Sequence, residues 1–162
     1  MISKILSFDW ALLFFWIMAV TWGWLLGSLI LPGLTLVISG FMVGVFQWLV
    51  LQGRIARPWH WIIATSTGWL TGYFIAFFLL PREVEGVVIG LTTGIAQWLI
   101  LRREFHWAGW WIVFSSIGWT TGLTLLPGIF LTGTMVGVLT GIPLEILMRF
   151  PKPKAIPRES PI

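Results

Sequence analysis

The chain has 162 residues, of which 57% are apolar and 10% charged, and it carries no cysteine. That composition, with a mean hydropathy of +0.92, excludes an ordinary soluble domain, because too few polar side chains remain to clothe a water-facing surface. A net charge of +4 does not by itself point to nucleic acid, and the missing cysteines remove disulfides and thiolate metal sites.

Six apolar runs follow one another at 10–31, 33–51, 61–80, 86–101, 107–126 and 128–148. An α-helix rises about 1.5 Å per residue, so about 20 residues cross a hydrocarbon core of about 30 Å. Each run is read as a transmembrane helix. The first follows Lys4 but is too long for a signal-peptide core and lacks an Ala-x-Ala site, so it is read as a retained span after a cytoplasmic segment, 1–9.

The first, third and fifth runs share a word: TWGWLLG at 21–27, STGWLTG at 66–72 and SIGWTTG at 116–122. The second and fourth share Gly40, Gly44, Gln47 and Trp48 against Gly90, Gly94, Gln97 and Trp98, while the sixth has Gly133, Gly137 and Gly141 with Thr140 in place of glutamine. Pro32, Pro81 and Pro127 end the helices between paired runs. The expected fold is an all-α integral membrane protein, with six transmembrane helices forming three parallel helical-hairpin repeats in one compact bundle. The repeats cover 10–51, 52–101 and 102–149, and a basic, proline-rich tail at 150–162 is read as mobile and cytoplasmic.

Six alternating spans place Lys4, Arg54, Arg57, Arg102, Arg103, Arg149, Lys152, Lys154 and Arg158 on one side and Arg82 alone on the other. By the positive-inside rule both termini are then cytoplasmic.

Glycines spaced by four stack on one helix face and let backbones approach where lipid supplies no hydrophobic drive to associate. Gly23, Gly27, Gly40, Gly44, Gly68, Gly72, Gly86, Gly90, Gly94, Gly118, Gly122, Gly133, Gly137 and Gly141 form such ladders, and they are read as contacts within and between hairpins. Trp10, Trp48, Trp59, Trp61, Trp98, Trp107, Trp110 and Trp111 fall near the run ends and are read as interfacial anchors. Trp24, Trp69 and Trp119, each between ladder glycines, are expected either to be packing knobs or to line a common cavity.

Gln47 and Gln97 need partners inside hydrocarbon. They are read as bonding between helices to Ser66 or Ser116, or as a polar ring at a cavity mouth with Thr140 as third member. His60 and His106 flank tryptophans at helix starts, where an imidazole is either an interfacial polar group or a pigment ligand. Glu145 is expected to pair with Arg149, four residues on. Glu83 and Glu85 are read as a solvated loop. The sequence requires no cofactor and offers no metal-ligand cluster, nucleophile set or phosphate loop, so it is read as not an enzyme.

The words Gly-x-x-x-Gly-x-x-Gln-Trp-x-x-Leu, at 40–51 and 90–101, and Trp-Trp-x-x-x-Ser-x-x-Gly-Trp, at 110–119, carry a resemblance. Over about residues 20–150 the chain resembles uncharacterised multi-pass membrane proteins of cyanobacteria and related bacteria, whose hairpins repeat these words. The resemblance implies a bacterial inner or thylakoid membrane and brings no activity with it. The Trp-x-Pro-Pro motifs of tryptophan-rich sensory proteins are absent.

The leading functional expectation is a bundle binding lipid, pigment or another membrane protein, or a second copy of itself. The alternative is a transporter or channel for a small uncharged solute along the repeat axis, lined by Gln47, Gln97 and Thr140.

Overall fold

The structure is a computed structural model and describes residues 8–30 and 35–153. It is all helical, and the described residues contain no strand. The helices are α1 (Trp10–Ile30), α2 (Thr35–Leu51), α3 (His60–Leu79), α4 (Glu85–Leu101), α5 (Trp110–Trp119) and α6 (Ile129–Met148). A 3-10 turn, Arg82–Val84, leads into α4, and a π-helical stretch, Thr120–Leu125, extends α5. Four helices, α1, α3, α4 with its leading turn, and α6, are long and apolar enough to cross a membrane.

Local chemistry explains the ends. Asp9 Oδ1 accepts the Leu12 N–H at 2.9 Å, a side-chain cap on the first turn of α1 of the kind that an aspartate just before an apolar run supplies. Gly53, past the end of α2, takes φ 73°, a left-handed conformation that glycine reaches without steric cost. Leu80, before Pro81, is extended and ends α3. Pro32 lies outside the described residues.

The fifth run departs from expectation. Its helix begins at Trp110 and not at 107, because Trp107 sits at φ 63° and cannot join a right-handed helix. Beyond Trp119 the helix widens, and the Leu126 N–H reaches back five residues to the Thr121 carbonyl at 2.8 Å. Hydroxyls compete for backbone acceptors here: Thr120 donates to the Ser116 carbonyl and Thr132 of α6 to the Gly122 carbonyl, each at 2.7 Å.

Each helix packs on its neighbours in chain order and α6 returns to α1, so the six form a closed ring. Every helix turns a row spaced by four into the centre. On the even helices these rows are Ser39, Val43, Gln47 and Leu51; Ile89, Thr93, Gln97 and Leu101; and Thr132, Val136, Thr140 and Leu144, all buried. The outer faces are apolar as well, with Phe14, Phe15, Phe74, Phe77, Phe78 and Phe130 more than half exposed.

Glycines set the helix spacing. A Cβ on Gly23 or Gly27 of α1 would meet the backbone of Val43 or Ser39 on α2, and one on Gly133 or Gly137 of α6 would meet Thr21 or Ile17 on α1. The same close approach joins Gly68 and Gly72 to α4, and Gly90 and Gly94 to α5. Gly118 is looser, its nearest neighbour atom at 3.3 Å.

One end of the ring carries Arg54, Arg57, Arg102, Arg103, Arg149 and Lys152 in its loops and helix ends, which makes it the basic end of the molecule. There the start of the tail is docked: His106 N–H donates to the Phe150 carbonyl, Lys152 N–H to the Glu104 carbonyl and Lys152 Nζ to the Arg102 carbonyl. Residues 150–153 of the tail thus lie against the loop after α4, and 154–162 lie outside the described residues.

Candidate functional site

The odd helices carry tryptophan at both ends of a buried row: Trp16 and Trp24 on α1, Trp61 and Trp69 on α3, Trp111 and Trp119 on α5. These side chains meet at the centre in two layers. Trp16, Trp61 and Trp111 lie edge to face with centroids 5.8 to 6.1 Å apart. Trp24, Trp69 and Trp119 do the same at 4.6 to 6.0 Å. Edge-to-face contact sets the positive rim of one ring on the negative face of the next, which favours this arrangement over flat stacking. Between the layers lie Val20, Thr65 and Ser115, all buried.

The geometry corrects two expectations. Trp61 and Trp111 are not interfacial anchors: they are 0% and 1% exposed at the centre, whereas Trp10, Trp59, Trp107 and Trp110 do face outward. Nor do Ser66 and Ser116 hold the glutamines, since their hydroxyls donate to the carbonyls of Ile62 and Ile112 in their own helices. Each lies one residue past the buried row.

The glutamines bond to the tryptophans instead. Trp61 Nε1 donates to Gln47 Oε1 at 2.8 Å, and Trp111 Nε1 donates to Gln97 Oε1 at 2.9 Å. Gln97 Nε2 then donates to Thr65 Oγ1 at 2.9 Å, and the Thr65 hydroxyl points on to Gln47 Oε1 at 3.4 Å. Trp16 Nε1 donates to Thr140 Oγ1 at 2.9 Å, and that hydroxyl in turn donates a hydrogen bond to the Val136 carbonyl at 2.6 Å. Each indole of the Trp16 layer therefore has its acceptor on the adjacent even helix. Burial of these polar groups is offset by bonds made among themselves.

Trp24, Trp69 and Trp119 fill the space they were candidates to line. His60 and His106 are not brought together: His60 stacks on Trp59 with centroids 3.8 Å apart, while His106 is exposed and joined to the tail through its backbone. Among the described residues no three of His, Asp and Glu converge as metal ligands.

Comparison with family models, curated proteins and solved structures finds no match for the chain.

The basic end holds a second polar cluster. Glu145 Oε1 accepts from Arg149 at 2.6 Å and from the Asp9 backbone N–H at 2.9 Å, while Asp9 Oδ2 pairs with Arg54 at 3.0 Å. This ties α6, the start of α1 and the loop after α2 together where the ring closes. The Leu12 N–H, the largest influence, and then Arg54 hold the Asp9 carboxyl below its ordinary range against the opposing effect of burial.

Proposed function

We propose that this chain is a non-enzymatic integral membrane protein of a bacterial inner or thylakoid membrane, a six-span bundle of three parallel hairpin repeats with its basic end cytoplasmic. It works through what it holds on its outer surface: lipid, pigment or another membrane protein.

The observation that carries the reading is the closed axis. A solute following the axis would have to push through a pair of layers of mutually touching indoles, and in the Trp16 layer the indole N–H groups that would greet it are already bonded to Gln47, Gln97 and Thr140. Transport along the axis is correspondingly disfavoured. In support of a membrane setting, the outward phenylalanines suit lipid, where an exposed ring needs no cover. In support of the repeat, the acceptors Gln47, Gln97 and Thr140 each serve a tryptophan on the next odd helix, counting α1 after α6. Pigment is the least favoured occupant, because the two histidines sit in different surroundings.

The test is purification in mild detergent, with an absorption spectrum and mass spectrometry of co-purifying molecules, paired with glycerol flux in liposomes. Retained lipid or a partner protein, with flux no faster than in empty liposomes, is the expected result. Protein-dependent glycerol flux that falls when Gln47 and Gln97 become leucine would overturn the reading in favour of a channel.

A further inference from the structure

A cavity of about 430 Å³ opens at the basic end of the seam between α3 and α4. Arg57, His60 and Arg103 line its polar side, Leu99 and Ile100 its apolar side. The basic residues around it differ in how they are engaged. Among the described residues, the ion pairs take Arg54 and Arg149, and Arg102 lies over the Trp98 ring at 4.9 Å. Arg57 and Arg103 have neither kind of partner, and both are exposed.

Glu104 is the one acid in the wall, and both its oxygens accept the Ala56 N–H, at 3.0 and 3.1 Å. Its charge is turned to the loop backbone. Two guanidiniums against one engaged carboxylate leave the cavity a place for an anion, and a guanidinium presents paired donors that match phosphate oxygens.

The cavity does not end at its polar half. Leu99 also walls a shallow groove of about 270 Å³ that runs between α3 and α4 over Gly68, with Thr71, Thr92 and Ile95 at its sides. Along α4, Thr92 lies seven residues before Leu99, about 10 Å away on the helix axis. A free phosphate has no use for that groove; a lipid tail does.

We infer that this seam binds an anionic phospholipid of the bilayer, its phosphate held by Arg57 and Arg103 and one acyl chain laid past Leu99 into the groove over Gly68. The site deepens the proposed function and rests on the bundle lying in a bilayer.

The probe is dioleoyl phosphatidylglycerol, added to the delipidated full chain in detergent and followed by native mass spectrometry, with dioleoyl phosphatidylcholine and inorganic phosphate as separate arms. One phosphatidylglycerol is expected to be retained in preference to phosphatidylcholine. R57Q with R103Q should weaken that retention roughly thirtyfold, the effect of two interfacial charges. R82Q, at the far end, should leave it unchanged. Leu99→Trp, with both arginines in place, should also weaken it by narrowing the passage into the groove.

Equal retention by the parent and the R57Q/R103Q chain, with both melting alike, would overturn the site. So would displacement of the lipid by inorganic phosphate at equal concentration, since the occupant would then be a free anion. Glycerol flux bears on the closed axis and not on this seam, so the two readings fail separately.

Discussion

Gln47 and Gln97 show what one polar atom decides inside an apolar ring. Changing Gln47 to leucine leaves Trp61 Nε1 buried without its acceptor, and an orphaned donor costs about 1–3 kcal/mol, nearer the lower figure in membrane bundles. A melting midpoint lower by a few degrees in detergent is the expected outcome. Gln97→Leu should behave alike, and the double change should cost less than the sum, because both glutamines bond Thr65. Additive costs would mean that the two amides are not coupled. Glycines offer a paired test. At Gly27 an added Cβ would meet the Cα of Ser39 well inside contact distance, so Gly27→Ala should push α1 from α2 and destabilise by about 1–3 kcal/mol. At Gly109 an added Cβ meets nothing within 4 Å, and the backbone is already helical, so Gly109→Ala should be neutral or gain up to about 1 kcal/mol. Equal melting of the two variants would contradict the close approach of α1 and α2. Both glutamines and the glycine ladders were legible as residues that need neighbours. Their partners were not, because Trp61 and Trp111 stand near run ends and read locally as anchors.

At the scale of elements, apolar run length and proline placement locate six helices, but they do not reveal where a helix changes character. The widened stretch Thr120–Leu125 meets α6 through the Thr132 hydroxyl, which bonds the Gly122 carbonyl, a partner that the local sequence does not specify. The start of α1 likewise depends on a distant element, since its capping residue Asp9 is held by Arg54 and by Glu145 on α6. This gives a pH prediction. A carboxyl held below its ordinary value stabilises the folded chain at neutral pH, and that contribution disappears as pH falls through its folded value. Asp9→Asn keeps a cap but removes the charge, so it should melt slightly below the parent at pH 7 and level with it once the carboxyl is protonated. The difference should stay under about 1 kcal/mol, because the pair is 36% and 41% exposed and screened by water. A gap that widened on acidification would exclude this assignment.

For the whole molecule, the uneven spread of basic residues makes a topological prediction that a chain without cysteine can test directly. Single cysteines replacing Gln52 and His106 should react with an impermeant maleimide from one side of the membrane, and one replacing Glu83 from the other. Labelling of positions 52 and 106 from opposite sides would remove the six-span arrangement. The sequence by itself determined what is local or statistical: helices throughout, too apolar for water, with small residues spaced to pack. It also held, unrecognised, the eight-residue separation of Trp16 from Trp24, Trp61 from Trp69 and Trp111 from Trp119. Only tertiary structure decided what that separation means. A tryptophan near a run end faces lipid or the centre according to how its helix is turned, and glycine contacts with the neighbouring helices constrain that turn. The closing of α6 on α1 brings Trp16 to Thr140 across 124 residues, and no local pattern specifies a bond made at that distance.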